Sequence, residues 1–467
     1  MIITRYLRKI LNDLNFLSLA ANFSTAVMGL LSFMILIRML SVPEFGKWVL
    51  FTAPASLVDM FRFGLTRDAL VRFLTTPDKN KQKGLLGSGW MIGFFLLVII
   101  TIILWIVLIA ITGKIVASGY DLFFYWYPLL ALANLPWNYA WSILQAKLEF
   151  KKIFWIRFFN LCSFILIIFL SYLTKKIHVI DVVYIYILTN LATSLFCIFK
   201  KWTGLQYLKY HNKICTNELL SFGRYSVFTR IGSSLLKGAD SFIISFSAFC
   251  GPVGVALYAI PLKFIELIEI PLVSFSTTAF PKLSKASIEN NIPEFKRIFY
   301  SYTGAIIYLF IGIAVVSFFL RDYFIIFLGG SHYLTSLSAL SIIIIPFIVY
   351  SVLLPLDRFT GISLDALNKP EKNLIKLIFM ASFNIIGDIM VIFGFHSFFP
   401  SMPVTTLLFF VAVVSCLFAL LGIIIGYYYL YKEVKISFFT IFSEGMVFYQ
   451  NIYSKFLANY KHKKFPV

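Results

Sequence analysis

A chain of 467 residues that is 60% hydrophobic and only 13% charged cannot hide its apolar surface in a water-soluble fold. Soluble domains are about half apolar and about a quarter charged. With a mean hydropathy of +0.87, the composition calls for a bilayer as solvent. A net charge of +20 is compatible with nucleic acid. The basic residues, however, cluster in short loops between apolar runs, as membrane topology requires, and this excludes a nucleic-acid role.

A spanning helix needs about 20 mostly apolar residues, and about twelve such stretches follow one another along the chain. The first six are 16–40, 46–73, 86–112, 121–146, 153–173 and 179–199. The second six are 222–249, 253–280, 298–320, 341–366, 374–395 and 404–431. No ten-residue blocks of alternating polarity occur, so a membrane β-barrel is not expected. The first run is too long for the core of a secretory signal and is expected to stay as the first span. Residues 435–460 place Phe438, Ile441, Phe442, Phe448, Ile452 and Phe456 near helical spacing, which predicts a helix lying on the membrane surface.

Lys and Arg set the topology. Twenty-eight fall on one side, Arg157 and Lys376 among them, and five fall on the other: Lys47, Lys114, Lys175, Lys176 and Arg321. The bias puts both termini in the cytoplasm of an inner-membrane protein and agrees with an even number of spans. The expected organisation is a six-helix bundle over 1–199, a cytoplasmic linker over 200–220 and a second bundle over 221–434. An amphipathic helix and basic tail follow over 435–467. Cys162, Cys197, Cys215, Cys250 and Cys416 are scattered, and the five histidines lack ligand spacing. Neither a disulfide frame nor a metal or other cofactor is expected.

The halves resemble each other. PEFGKWVLFTAP (43–54) opens the second span and GPVGVALYAIP (251–261) the eighth. QAKLEFKK (145–152) and DALNKPEKN (365–373) follow the fourth and tenth spans, which carry Pro136 and Pro355. Duplicated halves with a site between them are a transporter pattern.

Three segments carry a family resemblance: IRMLSVPEFGKWVLF (37–51), KGADSFIISFSAFCGPVGVALYAIPLKFIE (237–266) and FPKLSKA (280–286). Through them the chain resembles the polysaccharide transporters of the multidrug/oligosaccharidyl-lipid/polysaccharide exporter superfamily. Within these it is most similar to the O-antigen (Wzx-type) flippases of lipid-linked oligosaccharides. The resemblance implies an all-α polytopic membrane protein of twelve helices, in two six-helix bundles around a central cavity, as in MATE transporters. It also implies no enzymatic step. The cargo would be an undecaprenyl-pyrophosphate-linked glycan, moved from the cytoplasmic to the periplasmic leaflet, with a glycan polymerase as partner. The alternative within the superfamily is an ion-coupled drug exporter. Such pumps often hold a carboxylate in the first span, and here 16–40 contains no Asp or Glu.

Charges inside spans test that expectation, because each costs about 2.5–3.5 kcal/mol at the bilayer centre. The basic ones are Arg38, Arg62, Arg67, Arg224, Arg230, Lys237, Lys263 and Arg358, and the acidic ones Asp59, Asp68, Asp240, Glu266, Glu269, Asp357 and Asp388. They must line a wet cavity or pair with one another. The family fold sets the first, second, seventh and eighth spans around the cavity, so Arg62, Arg230, Lys237 and Lys263 are the candidate pyrophosphate ligands. Arg supplies a planar fork of donors and Lys a mobile point charge. Asp59, Asp240, Glu266, Asp357 and Arg358 are candidates for coupling or charge pairing, with Asp59–Arg62, Lys263–Glu266 and Asp357–Arg358 as the expected pairs. Arg38, Arg67 and Arg224 lie near span ends and are expected to snorkel to headgroups among the membrane lipids.

Overall fold

The computed structural model describes residues 14–74, 78–147, 149–174, 177–247 and 249–450. Among the described residues there is no strand, and twelve long helices coincide with the twelve apolar stretches. The first six are α1 (Leu14–Met39), α2 (Val42–Phe73), α3 (Lys79–Ala117), α4 (Asp121–Ala146), α5 (Phe150–Thr174) and α6 (Val179–Phe199). A 3-10 turn, Leu205–Tyr210, leads into α7 (Lys213–Phe246). Part of the stretch expected as a linker is therefore already helix. Then come α8 (Gly251–Ile288), α9 (Ile292–Gly329), α10 (Leu337–Ala366), α11 (Pro370–Ile389) and α12 (Val404–Val434). A shorter helix, α13, covers 438–450.

The helices are long and apolar, so their own i to i−4 bonds satisfy the backbone and the side chains meet lipid or neighbouring helices. On length and composition α3, α5, α6 and α12 suffice to cross a membrane, as does the stretch from α9 through α10. Polar signals set the ends. Glu44 closes the start of α2 by accepting from the Ser41 amide and hydroxyl, at 3.4 and 2.8 Å. Asp78 caps α3 by accepting from the Asn80 amide at 2.8 Å. After α11 the chain winds one π-helical turn, Met390–Phe395.

Two compact units emerge. One is Met1–Gly238 with Ala248–Ala256 and Leu328–His332; the other is Ala239–Ser247, Leu257–Phe327 and Tyr333–Val467. In the first unit α4 packs between α2 and α6, α1 lies along α5, and α3 lies on the 3-10 turn. Its core centres on Trp90, which stacks on Tyr139 with centroids 4.7 Å apart and donates its indole N–H to the Thr203 carbonyl at 2.8 Å. In the second unit α12 packs along both α10 and α11.

The segment expected as a surface helix is helical over 438–450 and docks on α9. Ile441 is fully buried, Tyr449 donates to the Ala305 carbonyl at 2.8 Å, and Tyr308 donates to the Phe442 carbonyl at 3.2 Å. Ile452 and Phe456 lie outside the described residues. The docking depends on two glycines. A Cβ on Gly304 would stand 2.1 Å from the Ile441 carbonyl oxygen and 2.7 Å from the Gly445 Cα. Backbone meets backbone there, and only the absence of a side chain permits it. Gly304→Val should therefore cost about 1–3 kcal/mol, the range for overpacking. Gly312→Val on the same helix, where a Cβ meets nothing within 4 Å, should cost nothing measurable. Thermal unfolding of the two purified variants in detergent checks the contrast, and equal melting temperatures would refute the docking.

Candidate functional site

The second span reads PASLVDMFRFGLTRD (54–68) and sets Asp59 and Arg62 one turn apart. In the first unit they meet: Arg62 Nη2 donates to Asp59 Oδ1 at 2.7 Å. The same nitrogen donates to Asn134 Oδ1 at 2.5 Å, and Nη1 donates to the Ala131 carbonyl at 2.6 Å. Asp59 also accepts from Tyr127 at 2.8 Å and from the Asn134 amide at 2.7 Å. Arg62 is 1% exposed. Both of its terminal nitrogens are spent on protein acceptors, so its place is that of a brace between α2 and α4.

Helix α4 also carries Pro136 in its interior. Proline lacks an N–H and crowds the preceding turn. Next to it the Trp137 amide donates to the Ser194 hydroxyl at 3.2 Å, and that hydroxyl donates to the Ala133 carbonyl at 2.6 Å. A side chain from α6 has thus entered the ladder and satisfied the parted groups. The opening lines a cavity of about 280 Å³ that runs along one face of α2. Asp59, Asn134, Trp137, Asn138, Asn190 and Arg67 contribute to its wall. Trp137 is held by its indole N–H, which donates to Asn190 Oδ1 at 3.0 Å.

Arg67 differs from its expected role. Its side chain lines the cavity and its guanidinium stacks on Trp141, 4.2 Å from the ring centroid. An aromatic face offers a cation attraction that competes with snorkelling. Arg157, counted among the topology-setting charges, lies within the fifth span on α5, and its guanidinium stacks on the same ring at 3.5 Å.

The second unit holds a different network. Asp240, 4% exposed, accepts from Tyr258 at 2.8 Å, from Asn384 at 2.8 Å and from Ser415 at 3.2 Å. Asp388, fully buried on α11 one turn after Asn384, accepts at 3.5 Å from the same Asn384 amide that donates to Asp240. Asp388 Oδ1 and Asn384 Oδ1 are buried without a partner. Neither acid makes an ion pair among the described residues. A site with two buried carboxylates is chemically suited to a proton or a hard cation.

The remaining expected residues scatter. Lys263 pairs with Glu266, as the spacing predicted. Asp357 turns away from its neighbour Arg358, which is exposed, and pairs with Lys376 at 2.7 Å. Lys376 is 2% exposed. It was expected in a loop, but it lies two turns into α11, where Asp357 and Thr360 compensate its charge. Arg230 and Lys237 stand on α7, and their side chains lie outside the described residues. Among the described residues no three His, Cys, Asp or Glu side chains group as a metal site. Sequence reasoning passed over the amides. Asn134 and Asn138, and Asn384 with Asp388, recur four apart inside apolar runs, and that spacing puts them on one helix face.

A family model described as polysaccharide biosynthesis protein matches residues 15–287. The chain belongs to this family. No curated protein sequence matches it. Its fold is that of the MOP superfamily. An inward-facing multidrug resistance MATE transporter superposes with a TM-score of 0.71 at 16% identity, covering 87% of this chain and 95% of that one. The lipid II flippase MurJ, in an inward closed conformation, gives 0.67 at 18% identity over 95% and 92%. A MOP superfamily transporter from Pyrococcus furiosus gives 0.54 at 15% identity over 92% and 98%. The expectation of an all-α polytopic membrane protein with this fold holds.

The brace makes a thermodynamic prediction. Arg62→Met leaves Asp59 without its cation and should cost about 3–5 kcal/mol, as for a broken buried pair. Asp59→Asn together with Arg62→Met removes both charges and should recover part of that loss. Thermal unfolding of the single and double variants decides, and a double variant no more stable than the single would sink the assignment.

Proposed function

We propose that this chain carries an isoprenoid-diphosphate-linked glycan, of the kind used for O-antigen-like surface polysaccharides, from the cytoplasmic to the periplasmic leaflet of a bacterial inner membrane. The cargo's tail stays in lipid while its polar head crosses about 30 Å of hydrocarbon inside protein. Alternating access of the two repeats is the mechanism that suits duplicated halves. No bond is made or broken.

The observation that carries the reading is the cavity of about 280 Å³ in the first unit, with amide, carboxylate and indole groups facing into it amid apolar helices. Pockets built this way hold polar ligands by a few placed hydrogen bonds. Amides and carboxylates suit sugar hydroxyls, and an indole suits the apolar face of a sugar ring. Membership of the polysaccharide biosynthesis family supports the same cargo class, and the fold shared with a lipid II flippase is compatible with it. Arg230 and Lys237 enter the proposal on spacing alone, as further contacts to the head group. Asp240 and Asp388 are the coupling pair. Uptake of a proton or cation there changes the charge of a buried site, which is the change that can bias one conformation over another.

The test is genetic and chemical together. Deleting the gene should remove the surface glycan and leave its lipid-linked precursor accumulated on the cytoplasmic side. Asp388→Asn should reproduce at least about a tenfold loss of display with normal protein levels, since one kind of charge switch is gone. Normal display in the deletion strain would end the transport reading. Normal display with Asp388→Asn would end only the coupling assignment.

A further inference from the structure

The transport reading leaves a second, larger cleft unused. It measures about 820 Å³ and lies within the second unit, where the last turns of α8, the first turns of α9 and one face of α13 meet. Ile441, Gly445 and Tyr449 recur every four residues and form the stripe by which α13 docks on α9. Glu444 and Phe448, one step round the helix, line the cleft instead.

The charges of the cleft sort unevenly. Lys282, Lys285 and Arg297 stand against Glu289, Glu294 and Glu444, so the lining is neutral in sum. Two pairs close within it. Arg297 donates to both oxygens of Glu294, at 2.6 and 2.7 Å, and the Lys285 ammonium lies 3.8 Å from Glu289. Lys282 and Glu444 are left over. The Lys282 ammonium donates to the Tyr302 hydroxyl at 2.5 Å and makes no ion pair among the described residues. Glu444 makes no hydrogen bond or ion pair among them either, and acts on Arg297 only at longer range. One cation and one anion thus border the same cleft without meeting.

The walls lead toward hydrocarbon. The Tyr302 ring is 6.4 Å from that of Phe448, in the cleft, and 6.4 Å from that of Phe275, two turns deeper along α8 than Lys282. Helix α9 has 38 residues. At 1.5 Å per residue it is about 57 Å long, against about 30 Å of hydrocarbon, so its charged first turns stand at the membrane surface. Phe439 and Met446, seven apart on α13, are exposed, the pattern of a helix face that rests in lipid.

An acidic lipid or a free anion would satisfy Lys282 and be repelled by Glu444. A head that carries phosphate and ammonium together answers both, through charge-assisted hydrogen bonds. The aromatic path selects a lipid over a soluble zwitterion. We propose that the cleft seats the head of a zwitterionic aminophospholipid, with its phosphate on Lys282 and the Tyr302 hydroxyl, its ammonium on Glu444, and one acyl chain along Phe448, Tyr302 and Phe275. Pockets between helices at the membrane surface recognise lipid heads in this way. The site is separate from the cavity of the first unit and stands whether or not the transport reading does. The bound lipid ties α13 to α8 and α9, so the docking of the amphipathic helix follows the composition of the membrane.

The experiment counts lipids retained by the full-length protein in native mass spectrometry, after equal exposure to phosphatidylethanolamine, phosphatidylcholine and phosphatidylglycerol. Wild type should hold one phosphatidylethanolamine at least about tenfold better than either competitor, the gain of a charge-assisted hydrogen bond. Phosphatidylcholine keeps both charges, but its methyl groups deny Glu444 a donor. Glu444→Gln leaves a cationic cleft and should turn the preference toward phosphatidylglycerol. Lys282→Gln should lose about tenfold in affinity for phosphatidylethanolamine. Both positions are solvent-facing, so melting temperatures in lipid-free detergent should match wild type. Glycerophosphoethanolamine, the head without chains, should not displace the lipid at equal concentration; displacement would overturn the assignment to a lipid. Equal retention of the three lipids by wild type, or a Glu444→Gln variant that keeps the wild-type order, would overturn the site.

Discussion

Inside hydrocarbon no water answers a polar group, and an unmet donor, acceptor or charge costs several kcal/mol. That constraint organises this protein. Each helix satisfies its own backbone, and wherever a proline or a charge breaks that economy a partner is found on a neighbouring helix. Ser194 enters the opened ladder of α4. Arg62 takes the Ala131 carbonyl together with Asp59 and Asn134. Lys376 takes both the carboxylate and the backbone carbonyl of Asp357. The polar residues are costly to hold, and the helices that hold them are fixed in register by doing so.

The two units answer the same constraint with different partners. In the first, cation and anion cancel at Asp59–Arg62, and two arginines stack on Trp141. In the second, Lys376 is cancelled by Asp357, while Asp240 is held by neutral donors from Tyr258, Asn384 and Ser415.

The number and placement of the helices were legible in the sequence because hydropathy acts over about 20 residues at a time and tolerates small errors. So were Asp59–Arg62 and Lys263–Glu266, which are local pairs set by helix geometry. Pairings between helices were not legible. Asp357 has a cation beside it in sequence, yet its partner Lys376 comes from the next helix. Arg157 and Lys376 sit close to span ends, where they were counted with the loop charges that set the topology although the stretches 153–173 and 374–395 already contain them. The amides escaped notice because they carry no charge, although a four-residue recurrence such as Asn384 and Asp388 within an apolar run is itself a signal of a polar face.

The π-helical turn that follows Asp388 has a consequence for how α11 works. A π turn holds one residue more than an α turn. It therefore swings everything after it by about 100° around the axis relative to an unbroken helix. Asn384 and Asp388 on one side of this step, and His396 on the other, are keyed to different azimuths by a single surplus residue. Rewinding that turn into plain α-helix would rotate one segment against the other without any unfolding. The acids thus sit beside a built-in swivel.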